Sequence, residues 1–343
     1  MNRMKKALAI APPCVCLALV LTLLCCSAAQ AAEPKRAALV LQWQPQAQFA
    51  GLYMAHEKGF YREAGVELTL IPGGQDVVAS KLMAQGRAQF ATMFLATGVE
   101  RSANRNSGGL PVAHLAQLVQ RSALMLVTRA SSGIAEPKDL HGKRVSLWDN
   151  EFQLQPRALF KRLGIQPVLL PQSSTLGLFL LGGVDAASAM WYNEFHTLLA
   201  SGLEPEDLRV FFYRDLDLNY PEDGIYTLES TLKSDPELCR AVVSASLRGW
   251  EYAFAHPEET LDVVLARMRA AHVPVSRVHQ RFMLARMKDV MLPAAPGDPA
   301  LGELRQADYD RVAKGLLDQG VITTMPDFRQ FSRGDALGAR RPQ

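Results

Sequence analysis

Strand-like and helical segments take turns along this chain, and that alternation restricts the fold more than any other feature. From Ala37 the order is AALVLQW, FAGLYMAHEKGFYREAG, VELTLIPGG, DVVASKLMAQG and AQFATMFL, apolar runs of strand length separated by segments of helical periodicity. A helix between successive strands leaves no place for hairpins, so the strands should be parallel, joined by right-handed crossovers in an α/β architecture. Gly59, Gly65 and Gly86 fall where the helices should end. Near Lys143 the succession begins again with KRVSLW, QPRALFKRLGI, PVLLPQ, LGLFLLGG, DAASAMW and NEFHTLLASG. Laying LMAQGRAQFATMFL over LFLLGGVDAASAMW matches Gly86 with Gly182, Gln89 with Asp185 and Phe94 with Met190, which suggests two related lobes.

From about Glu222 the pattern is mostly helical. PELCRAVVSASLRGWEYAFAH carries apolar residues at helical spacing, and PEETLDVVLARMRAAH follows with Pro257 suited to a first turn. Helices without strands of their own must pack on an existing sheet. The economical arrangement returns this segment to the first lobe, giving a discontinuous lobe one over 36–125 and 213–335 and a lobe two over 126–212.

The first residues read as an export signal. Arg3, Lys5 and Lys6 precede an apolar run from about Val15 to Cys26 and then SAAQAAEP, with cleavage expected after Ala31, so a signal peptide occupies 1–31. Lipidation at Cys25 or Cys26 fits less well, because Leu24 or Cys25 stands where a small residue is wanted. Four of the five cysteines belong to this segment, so a mature periplasmic chain keeps only Cys239 and no internal disulfide. Cys239 lies on the apolar face of its helix and reads as a buried small hydrophobe. The 37 basic residues less Arg3, Lys5 and Lys6 leave 34, equal to the 34 acidic ones, and a balanced surface argues against nucleic acid.

The opening W-x-P run with GLYMAHEKGFYREAGVE, the segment GRAQFATM and the later LRGWEYAFAHPEE resemble substrate-binding proteins of ABC importers. The branch they resemble holds thiamine pyrimidine-precursor-binding proteins, relatives that bind sulfonates or riboflavin, and the fungal thiamine-pyrimidine synthase. The resemblance implies a two-lobed periplasmic binding protein of type II, with two crossing strands and a ligand cleft between the lobes. It also implies an ABC permease and an ATPase subunit as partners of a monomer that needs no cofactor.

Ligands of open α/β sheets sit at the carboxyl ends of the strands. Trp43, Gln48 and Phe49 should form such a loop in lobe one, offering an aromatic face and amides to a planar heterocycle. The loop's Gln46 and Phe49 depart from the asparagine and histidine of pyrimidine-binding relatives, which leaves a riboflavin-like or other aromatic ligand open. Thr97 should face it after the strand FATMF, and lobe two should contribute Trp148, Phe152, Trp191, Tyr192 and Glu194. Glu194 either accepts from a ring amine or sits as a favourable charge at a helix start. Asp223 and Tyr226 should line the return crossing, with the stretch Gln117 to Arg121 on the other. Cations are scarce among these residues, which favours a neutral or weakly cationic heterocycle over sulfonate.

The synthase alternative is disfavoured by Met93 and Thr97, which stand where the resemblance places that enzyme's lysine and histidine. Without a lysine no amine can form a Schiff base. The seven histidines are scattered, and Pro274 separates His272 from His279, so no metal site is expected. The expected activity is capture without catalysis, and a sensory module feeding a receptor or kinase would use the same cleft.

Overall fold

A computed structural model describes residues 33–105, 108–334 and 337–338, so the expected signal segment lies outside the described residues. Ten strands form two five-stranded sheets. They are β1 (Lys35–Val40), β2 (Val66–Ile71), β3 (Phe90–Phe94), β4 (Val112–Gln117), β5 (Leu124–Arg129), β6 (Arg144–Leu147), β7 (Val168–Pro171), β8 (Ala186–Met190), β9 (Leu208–Phe212) and β10 (Asp223–Leu228). The sheet orders are β2-β1-β3-β10-β4 and β7-β6-β8-β5-β9.

The two sheets repeat one another strand for strand. β1 runs parallel to β2 and β3, and β6 runs parallel to β7 and β8. The fourth strand is antiparallel in both, β10 against β3 and β4, β5 against β8 and β9. Gly86 and Gly182, matched in the sequence overlay, both take left-handed backbone, with φ of 69° and 74°, at the turn before β3 and β8. The described residues from Lys35 onward form one compact unit. β5 carries the chain into the second sheet and β10 returns it to the first.

The segment after Phe49 forms two helices, Ala50–Glu57 and Phe60–Glu63, with Gly59, one of the expected helix ends, turning left-handed at φ 74° between them. Helix Pro236–Ala255 begins at Asp235, whose side chain accepts from Leu238 N at 3.0 Å, and packs on Ala50–Glu57. Its Cys239 is fully buried, and burial pushes the thiol up to about 12. Helix Arg277–Met291 docks at both ends. Gln280 Oε1 accepts from Ala47 N at 2.7 Å near its start, and Val290 O accepts from Gln120 N and Arg121 N, each at 3.0 Å, near its end.

Candidate functional site

The carboxyl ends of β1, β3, β6 and β8 carry the expected loops, and the antiparallel β10 brings Asp223 to the same edge. Of the glutamines after β1, Gln44 is exposed, whereas Gln42, Gln46 and Gln48 are bound to neighbouring side chains. Gln48 Nε2 donates to Asp223 Oδ2 at 2.8 Å, Gln42 Nε2 to Asp223 Oδ1 at 2.6 Å, and Gln46 Nε2 to Gln48 Oε1 at 2.6 Å. A buried carboxylate needs donors, and this relay supplies them. Gln48 thus spends both ends of its amide on neighbouring side chains.

Burial pushes Asp223 up to about 6, against the pull of the Gln48 and Gln42 amides. Its neighbour Glu222 is pushed up to about 8, first by burial and then by the Asp223 charge. Burial therefore resists a second negative charge in this pair. Glu222 Oε1 accepts from Ser122 Oγ at 2.9 Å and Ala123 N at 2.7 Å, which ties the return crossing to the outgoing one, while Oε2 is buried without a partner. Gln117 Nε2 strengthens the same knot by donating to Val119 O, Glu222 O and Asp223 O. Tyr192 is buried beside this group, its hydroxyl pushed far up by burial and by the charges of Glu222, Asp223 and Glu194.

Aromatic groups from the two sheets meet at the same edge. Phe94, at the end of β3, packs edge-to-face on Phe152 with centroids 5.2 Å apart, and Phe152 meets Trp148 at 5.3 Å. Thr97 Oγ1 donates to Glu151 Oε1 at 3.1 Å alongside them, and burial raises the Glu151 carboxyl. Trp148, Phe152 and Thr97 are thus brought together, with Phe94 and Glu151 added.

Trp191 belongs to a second group. The guanidinium groups of Arg214 and Arg286 lie over its ring at 4.8 and 4.7 Å from the centroid, and Phe212 meets it edge-on at 5.5 Å. This corrects the expectation that cations are scarce around the site. Arg286 arrives from helix Arg277–Met291, where its helical spacing says nothing about a tryptophan of the other sheet. Glu194 spends both oxygens locally, accepting from Met190 N at 2.9 Å and Asn193 Nδ2 at 2.7 Å, so it fastens the turn after β8.

Other expected residues stand apart. Phe49 is 1% exposed and belongs to the core under the helix it precedes. Tyr226 is fully buried, packed against His114 with centroids 5.2 Å apart, and a Cβ at Gly98 would come within 2.5 Å of its ring. Both point into the first core because alternation along a strand separates its two faces without saying which one opens on a cleft. Trp43 is half-buried against that core, and its carbonyl accepts from Gly73 N at 3.1 Å. A Cβ at Gly73 would lie 2.2 Å from Leu41 O, so the PGG turn is a close backbone approach. Surface cavities of 210 Å³ beside His56, Arg62 and Arg267 and of 370 Å³ beside Lys233 and Arg333 share no residue with this edge. Its chemistry, not its volume, makes the strand-end edge the candidate site.

A family profile described as NMT1/THI5 like matches residues 46–260. The riboflavin-binding protein RibY of Chloroflexus aurantiacus is 25% identical over 66% of this chain, a match spanning 65% of that protein's length, just under two thirds. The formylaminopyrimidine-binding protein of Halalkalibacterium halodurans is 23% identical over 75% of this chain and 78% of its own. Among solved structures, the periplasmic aliphatic sulphonate binding protein SsuA of Escherichia coli superposes with a TM-score of 0.67 at 13% identity, covering 87% of this chain and 92% of its own, which places the fold among type II periplasmic binding proteins.

Proposed function

The chain belongs to the NMT1/THI5-like family, and on that premise we propose that it is a solute-binding protein that captures a small planar heterocycle between its two sheets for an ABC importer. The observation that carries this reading is the aromatic cluster assembled from both sheets, Phe94 from one and Trp148 with Phe152 from the other. Aromatic faces from opposite sides hold a flat ring and gain contact only when the sheets approach, so the ligand itself favours the closed arrangement. The closed form then docks on a permease that an ATPase subunit drives. Export by the segment 1–31 would place the mature chain in the periplasm as a monomer. Two relatives, named for riboflavin and for formylaminopyrimidine, define the ligand class to be tried first. Capture without chemistry is supported by the segment after Phe90, where Met93 is buried and Thr97 is bound to Glu151, leaving no amine for a Schiff base.

The test is a melting-temperature screen of the chain from Ala32, refolded to remove bound compounds, against riboflavin, formylaminopyrimidine, thiamine and aliphatic sulfonates. A ligand at 100 times its Kd stabilises the folded state by about 2.7 kcal/mol, a rise of a few degrees. A rise confined to one heterocycle identifies the cargo, and a rise with sulfonates alone overturns the heterocycle reading.

With the cargo identified, Trp191→Ala should weaken its binding by at least about tenfold, through loss of the platform that holds Arg214 and Arg286. Calorimetric titration checks this, and unchanged affinity removes the Trp191 group from the site.

A further inference from the structure

Two histidines join the sheets at a point the binding site does not use. Helix Glu194–Ala200 follows β8 of the second sheet, and helix Arg277–Met291 is tied through Gln280 to the first-sheet loop at Ala47. Where the helices meet, His196 Nδ1 lies 3.1 Å from His279 Nδ1, with the rings nearly perpendicular at 89°. The other nitrogen of His279, Nε2, lies 2.8 Å from Asn193 Oδ1. Asn193 commits its amide nitrogen to Glu194 Oε1 at 2.7 Å, which fixes the oxygen as the atom turned to the imidazole.

An amide oxygen only accepts, so His279 carries its proton on Nε2 and presents a lone pair at Nδ1. His196 must then hold its proton on Nδ1 and donate it. The contact runs on a single proton between the facing nitrogens. A proton on His196 Nε2 leaves this bond in place, but once both rings are imidazolium N–H is set against N–H, which removes the bond and places two positive rings in contact.

Among the described residues, no neighbouring charge relieves that conflict. Glu194 is spent on Met190 and Asn193, Arg277 is paired with Glu258 and Asp262, Arg281 with Glu258, and Arg286 with Asp289. The remaining face of His196 meets the apolar ring of Phe282 at 4.8 Å. Burial lowers the basicity of both rings, and the charge of His196 lowers that of His279 further.

We propose that His196 and His279 form a proton-operated latch across the cleft, closed by one shared proton and opened by a second. The inference rests on the reading of the two sheets as lobes that close. The sign follows from linkage. The closed arrangement binds fewer protons than the open one, so closure is favoured above the ordinary imidazole value of about 6.5 and opposed as pH falls below it. A carrier built this way holds its cargo less firmly in an acidified medium.

The latch is tested without any ligand, so its failure and that of the proposed function are separable. Spin labels at Ser201→Cys, in the turn that closes helix Glu194–Ala200, and at Ala266→Cys, on helix Pro257–Ala270, both exposed and on opposite sides, report the separation of the two sides. The distance distribution should move to longer values between pH 7.5 and pH 5.5 in the otherwise natural chain. With His196→Gln, whose amide donates to His279 Nδ1 but takes up no proton, the short distance should persist at both pH values. The imidazole nitrogen resonances should show His279 protonated on Nε2 at pH 7.5. An unmoved distance in the natural chain, or an equal movement in His196→Gln, overturns the latch.

Discussion

Glu222→Gln is expected to raise the melting temperature at pH 8.5 by roughly 5 °C and to change it little at pH 4.5. The Glu222 carboxyl is pushed up to about 8 by burial and by Asp223 beside it. In the unfolded chain the same group ionises near the ordinary value of about 4.3. Between these values the folded state binds more protons than the unfolded one, so stability falls as pH rises through this window. Above pH 8 the folded chain must hold a second negative charge next to Asp223, with Glu222 Oε2 buried and unpartnered. Glutamine keeps the acceptor used by Ser122 Oγ and Ala123 N and cannot ionise, so the loss at high pH disappears. A residual slope near pH 6 should survive from Asp223, which is pushed up to about 6. Melting curves of the two chains from pH 4.5 to 8.5 decide the matter. Parallel curves would mean that Glu222 is already ionised in the fold, with Arg214, whose charge faces it, compensating.

That acid pair also shows where reading the sequence stops. The tandem α/β order was legible because periodicity and glycine turns are local signals, and every crossover expected between Ala37 and Ser201 is present. The meeting of Trp148 and Phe152 at the sheet edge was legible because they follow a strand end. What the three glutamines do was not. Polar residues in a loop read as ligand contacts until a buried acid far along the chain claims them, and the sequence YPEDG does not reveal that Asp223 is covered by Gln42 and Gln48. The same limit hid Glu222, Arg286 and the His196–His279 contact. Each is an ordinary residue of its own segment, and its role comes from a partner brought near by the crossings. Phe49 and Tyr226 failed in the opposite sense, since an aromatic at a strand or helix start serves a core as readily as a cleft.

An effect of the same size is expected away from the site, where helix Pro236–Ala255 lies against Ala50–Glu57. Gly249→Ala should lower stability by about 3 kcal/mol, a fall of roughly 5 °C or more in melting temperature. A methyl at Gly249 would stand 2.1 Å from Gly51 O and 2.6 Å from Ala55 Cβ. The first of these is backbone of a buried helix, so no rotamer change relieves the contact and the helices must separate. Separation also loosens Trp250, which is 1% exposed and fills the space a methyl at Gly51 would occupy, 2.2 Å from its ring. Helix propensity favours alanine over glycine by about 1 kcal/mol, so the packing cost has to exceed that gain for the sign to come out as stated. Ser244→Ala, on the exposed side of the same helix, isolates the propensity contribution and should raise stability slightly. If Gly249→Ala melts with or above the natural chain while Ser244→Ala behaves as expected, the helices do not approach this closely in solution. The loop after β1 would then lose its support, because the helix that carries Gly51 begins directly behind Gln48 and positions the amides that hold Asp223.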